Sequence, residues 1–238
     1  MALKELELPK KNKLLNEARG ILEESKMMPF YTSSKIEALI KRIQDFHNKI
    51  KDKPEVISEL EKIYPITDKN NKYNGTYFKI LIEWCGMYNA IDKIKNSYKQ
   101  QDISALKGTL DSIIAEMEKD YNNAIENSEG KRKKNMQIGL RNAEKFYQHG
   151  KIMTELVELS FKNTTIKDVL NRNPDVFWRS IEEKDNKRPV EAMNKAISEL
   201  KAELDDIKEK QDKQTNAKEI EEIETAIKRL KEGIEIMK

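Results

Sequence analysis

The last 49 residues read as a mirror, and that symmetry leaves few folds open to them. Outward from Gln214, Ile207 answers Ile220, Leu204 answers Ile223, Leu200 answers Ile227, Ile197 answers Leu230, Met193 answers Ile234 and Val190 answers Met237. Each arm steps by three and four residues, the spacing that keeps side chains on one face of a helix. The centre, Lys210-Gln211-Asp212-Lys213-Gln214-Thr215, is wholly polar. One continuous helix would waste this pattern. Ile207 and Ile220 stand 13 residues apart, which at about 3.6 residues per turn carries the second stripe to the opposite face. Reversal at the polar centre sets the stripes against each other. The sequence therefore predicts an antiparallel helical hairpin over 190–238.

The seam is nearly a strict a/d stripe, with Ala192, Ala196 and Ala226 beside it. Such narrowness suits a coiled-coil-like arm, on the order of 30 Å long, more than a helix pair sunk in a core. Two helices alone bury too little apolar surface to offset the entropy of ordering them. The arm thus needs a further surface: the body of its own chain, a second copy, or another protein.

The preceding residues read as an all-α multihelix bundle. Six prolines and eight glycines in 238 residues are too few for an all-β chain that turns every ten residues or so. Charged residues make up 37% and mean hydropathy is -0.82, which fits helices that each bury a single stripe. Apolar spacing predicts helices over 10–27, over 34–50 behind a Ser34/Glu37 capping box, and over a short segment opened by Pro54. A polar loop follows at 65–75. The most apolar helix, 76–98, should sit at the centre of the bundle. Asp102 or Ser104 caps the next helix, 127–134 interrupts the pattern, and a further helix covers 135–161. Short helices are expected at 165–171 and 174–183. The resulting division is a body over 1–183, a linker over 184–189 and the hairpin over 190–238.

Function is far less legible. Net charge is only +3, so the total makes no strong claim for nucleic acid or membrane. No apolar run approaches the roughly 20 residues that span a bilayer. The charged N-terminus does not resemble a secretory signal. A cytoplasmic protein is expected, with delivery by a signal-less secretion system left open. A single cysteine, Cys85, excludes an internal disulfide and a cysteine-based zinc site.

Gly130-Lys131 lacks the earlier glycine and the following Ser or Thr of a phosphate-binding loop, since Ile125 and Arg132 stand there. His47 and His149 lie in no metal-binding arrangement. Cys85 falls mid-helix among apolar neighbours, where a thiol is structural. Tyr73, Tyr77, Phe78, Trp84 and Tyr88 could line a pocket, but their helical spacing favours a core. Asp205-Asp206 and Glu221-Glu222 on the outside of a hairpin read as solvated charge.

No catalytic, cofactor or metal residue is expected, and the chain reads as a non-enzymatic helical interaction or scaffold module. It would bind a protein partner, or itself, through the hairpin, as an assembly component of a bacterium or phage or as an effector bound to a host protein would. The alternative is a binder of nucleic acid or an anionic membrane surface. It rests on Lys131, Arg132, Lys133 and Lys134, continued by Arg141 and Lys145 at helical steps and by His149 beyond them.

Overall fold

A computed structural model describes residues 13–68, 70, 72–96, 100–177, 187–209 and 216–237. The chain is all-α. The described residues form α1 (Lys13–Ser25), α2 (Ser33–Ile50), α3 (Pro54–Glu61), α4 (Thr76–Lys95), α5 (Gln100–Glu126), α6 (Gly130–Lys162), α7 (Thr164–Arg172), α8 (Lys187–Glu209) and α9 (Asn216–Met237). Short 3-10 turns occupy Met28–Phe30 and Pro174–Phe177, and one isolated bridge joins Thr67 to Tyr73. The chain divides into two compact units. Met1–Asp92 with Leu110–Glu144 form the first, and Lys93–Thr109 with Lys145–Lys238 form the second. Both α5 and α6 therefore contribute residues to each unit.

In the first unit, α2 buries Ile36, Leu39, Ile43, Phe46 and Ile50, whereas Ile40, which the spacing also places inward, is half-buried. From Tyr77 to Ile91, α4 buries apolar side chains on several sides of its axis, among them Tyr77, Ile80, Trp84, Met87 and Ile91. A helix apolar nearly all round must be surrounded by protein. Close approach requires glycine at one point here. A Cβ on Gly139 would lie 2.7 Å from the Tyr121 hydroxyl, and that hydroxyl accepts a hydrogen bond from Trp84 Nε1 at 2.9 Å.

Several helix starts differ from the sequence reading. The Ser34/Glu37 capping box does not form. Helix α2 begins at Ser33, whose backbone N–H and Oγ both donate to Asp92 of α4, at 3.3 and 2.8 Å. Glu37 accepts from Asn89 Nδ2 at 3.4 Å. A carboxylate delivered by a neighbouring helix has replaced a local cap. Helix α5 begins at Gln100, so Asp102 lies in its first turn and faces the positive end of the helix dipole. The expected break at 127–134 is shorter: α6 starts at Gly130, and Gly130 adopts a left-handed φ of 54°.

The loop after α3 is held by its own polar groups. Glu61 accepts from the backbone N–H of Ile66 and of Thr67, both at 2.8 Å. Gly75 closes it with a φ of 65°, and a Cβ there would meet the His47 ring.

The second unit contains the mirrored tail. Met193 packs at Gly233, and Lys208 Nζ lies 3.2 Å from Glu224. These contacts are nested, the order produced by two helices packed in opposite directions. Of the twelve stripe residues, Met193, Ile197, Leu200, Leu204, Ile223, Ile227, Leu230, Ile234 and Met237 are buried. Val190, Ile207 and Ile220 are half-buried. The polar connection over 210–215 lies outside the described residues.

The two helices do not rely on each other alone. Ile152 and Leu156 of α6, Ile166, Val169 and Leu170 of α7, and Val176 join the same core. Ala196 and Ala226 are fully buried, so the apolar face is wider than an a/d seam. Asn163 ties α7 into place: its Oδ1 caps the helix by accepting from Ile166 N–H at 3.1 Å, while its Nδ2 donates to Glu222 of α9 at 3.3 Å. Of the helix expected over 174–183, Pro174–Phe177 form a 3-10 turn, and the rest, with Trp178 and Ile181, lies outside the described residues. Of the expected linker, Lys187 to Pro189 already belong to the first turn of α8, a place that tolerates proline because that amide has no helical acceptor.

Candidate interaction surface

The basic stripe predicted from sequence is only partly available as charge. Lys131, Lys133, Lys134, Arg141 and Lys145 are exposed along α6. Arg132 is committed elsewhere: its guanidinium pairs with the Glu61 carboxylate at 2.9 Å and donates to the Glu61 carbonyl oxygen. His149 is 1% exposed and so is not part of a solvent-facing positive face. The apolar period of α6 explains this, because Phe146, His149 and Met153 follow one another at three- and four-residue steps and all are buried. Positive charges in the first turn oppose the helix dipole, so the run at 131–134 contributes nothing to holding α6 together locally.

A different surface is more fully formed. In the second unit, α6, α8 and α9 border an open trough of about 930 Å³. Ile152, Leu204, Ile227 and Ile236 supply its apolar surface, and charged side chains rim it. Most of the acidic rim is internally engaged. Arg229 pairs with Glu155 and, at 2.7 Å, with Glu232. Glu224 pairs with Lys208.

The lysines are engaged much less. Lys151 stands 5.4 Å over the Tyr147 ring. Lys201, Lys228 and Lys231 are exposed and have no carboxylate within ion-pair distance among the described residues. Most seam residues bury the inner sides of α8 and α9, while Leu204 and Ile227 of the seam also line the trough. Sequence reading missed it because its walls come from three separated segments. The legible part is the exposed Lys228/Lys231 pair on α9, which without the fold reads as ordinary solvated charge.

Groups with chemical potential in the first unit are packed or paired. Burial pushes the Cys85 thiol up to about 12, and its sulfur lies 3.1 Å from Met28 Sδ. His47 Nδ1 shares a 2.8 Å hydrogen bond with the Tyr73 hydroxyl. Burial, then the charges of Lys79 and Lys51, hold that imidazole below its usual value. Tyr77, Phe78, Trp84 and Tyr88 are buried as core side chains. Glu83 of α4 and Asp120 of α5 form a carboxyl pair in which burial, then the Asp120 charge, pushes Glu83 up to about 8. Among the described residues, no group of three or more His, Cys, Asp or Glu side chains could hold a metal ion, and no helix is long and apolar enough to cross a membrane.

No family model matches the chain, and neither a curated protein nor a solved structure matches it.

Proposed function

We propose that this chain is a non-enzymatic helical interaction module that binds a helix of another protein in the trough bordered by α6, α8 and α9. One observation carries this reading: the trough between three helices stays open, with Ile236 half-buried on its wall beside the nearly buried Ile152, Leu204 and Ile227. A groove between parallel ridges of side chains accepts an amphipathic helix, which presents its own apolar residues at i, i+3, i+4 and i+7. The tail is then one wall of the binding site, to which the seam residues Leu204 and Ile227 contribute their edges.

The test is affinity capture with the intact chain and with Ile236→Glu, which places a charge on the trough wall. Each captured protein is then purified and its binary affinity measured for both chains. A partner that binds the intact chain and loses roughly tenfold or more in affinity for Ile236→Glu supports the trough. Equal binding by the two chains overturns it.

A second reading rests on the exposed α6 face of Lys134, Arg141 and Lys145, which fits an anionic polymer or lipid surface. Reversing these three charges abolishes salt-sensitive binding to duplex DNA or to phosphatidylserine vesicles if that reading holds. No binding by the unmodified chain at low salt removes it.

A further inference from the structure

We infer that the trough is selective for an acidic amphipathic helix, one whose apolar stripe is flanked by glutamate or aspartate where it passes Lys201, Lys228 and Lys231. This deepens the proposed function and rests on that reading of the trough.

The rim carries positive charge that no carboxylate among the described residues takes up. A rim whose acids and bases neutralised each other would leave a partner's flank unspecified. Here they do not neutralise each other evenly. Glu155 and Glu232 are held by Arg229, and Glu224 by Lys208. The three lysines keep exposed ammonium groups without a carboxylate partner among the described residues. Lys228 and Lys231 are three residues apart and so share a face of α9, while Lys201 approaches from α8.

A helix seated on the apolar wall runs its flank past these ammonium groups. Carboxylates there form ion pairs without breaking existing ones. A basic flank meets three like charges and finds most of the nearby acids occupied. Rim charges of this kind steer encounter and reject wrong partners more than they deepen affinity. Screening then makes the preference fade as ionic strength rises through about 0.15 M.

The experiment is a displayed library of amphipathic helices about 18 residues long, roughly 27 Å. Leucine or isoleucine occupies the stripe, and each flanking position is Glu, Gln or Lys. The library is selected against the full chain and, in parallel, against K201E/K228E/K231E. The expected result is enrichment of glutamate on one flank by the unmodified chain. Selected peptides should bind roughly tenfold or more weakly to the triple variant, and that variant should itself enrich lysine.

Because the three positions are exposed, the variant should keep its helical circular dichroism. If it does not fold, K228Q/K231Q and a salt titration of the unmodified chain take its place, with the same glutamate preference required to weaken. Enrichment of neutral or basic flanks on peptides that compete at Ile236 overturns the charge selectivity and leaves the trough reading standing. Absence of any peptide sensitive to Ile236→Glu overturns both. Concentration-dependent self-association of the chain that the triple variant abolishes assigns the trough to a second copy and overturns the inference.

Discussion

Replacing Glu83 with glutamine should make the first unit more stable at alkaline pH and leave it nearly unchanged at pH 5. Glu83 Oε2 is buried without a hydrogen-bond donor, and Asp120 is only 6% exposed. With both carboxyls ionised, neither has a proton to offer the other. One proton resolves the conflict by letting Glu83 donate to Asp120. Burial is the largest cause of the elevated value, about 8, with the Asp120 charge and hydrogen bond next and the Glu116 charge after them, against a smaller opposing effect of Lys79. In the unfolded chain an ordinary glutamate titrates near 4.3. Between those values the native state holds a proton that the unfolded state has released. Stability therefore falls as pH rises from about 4.3, and the loss is complete once pH passes the folded value.

The full shift would correspond to roughly 5 kcal/mol at about 1.36 kcal/mol per unit. Glu83 is only partly buried, so solvent screening reduces this to about 1–3 kcal/mol. Glutamine removes the titration and supplies an N–H donor for Asp120. The measurement is urea unfolding of wild type and Glu83→Gln from pH 5 to pH 9, in a Trp178→Phe background so that fluorescence reports Trp84 beside the mutation. Other titrating groups cancel in the difference between the two curves. The variant should gain about 1–3 kcal/mol at pH 9. A difference that does not change with pH, or that favours wild type above pH 8, would refute the reasoning.

Three single substitutions and one triple variant test how each unit is held together internally. Gly139→Ala forces a Cβ into the Tyr121 ring and its bond to Trp84, and should cost about 1–3 kcal/mol with a shift in Trp84 emission. Asn163→Ala removes both the α7 cap and the link to Glu222; thermal unfolding followed by circular dichroism should show a loss of about 0.5–2 kcal/mol. Arg132→Ala should destabilise the first unit by about 1 kcal/mol or slightly more, because it breaks a partly buried pair and a bond to a backbone carbonyl. Alanine at Lys131, Lys133 and Lys134 together should be neutral or slightly stabilising in the same urea titration, since those charges oppose the α6 dipole.

The helical class and most helix positions were legible because apolar period is a local property of the chain. The stripes of α2 and of the tail needed no tertiary information: Ile36, Leu39, Ile43, Phe46 and Ile50 are buried as spaced. Helix starts were less legible, because an amide can be satisfied from elsewhere. Ser33 is bonded to Asp92, 59 residues away, and no local pattern announces that. Arg132 and His149 show the same limit at the candidate basic site. In sequence both extend a positive run, whereas in the fold one is spent on Glu61 and the other is buried.

The mirrored tail shows most clearly where local information stops. Its period alone determined two amphipathic helices and the faces they would bury, since rotation per residue is fixed by helix geometry. What those faces meet was decided only in three dimensions, where α6 and α7 bring their own apolar side chains to the same core. The trough follows from that packing. Packing of most of the inner faces leaves the trough beside them, where Arg229 and Lys208 take up Glu155, Glu232 and Glu224 while Lys201, Lys228 and Lys231 stay exposed. Periodicity assigns a residue to a face, but which charges remain unspent depends on side chains from segments that only tertiary structure brings together.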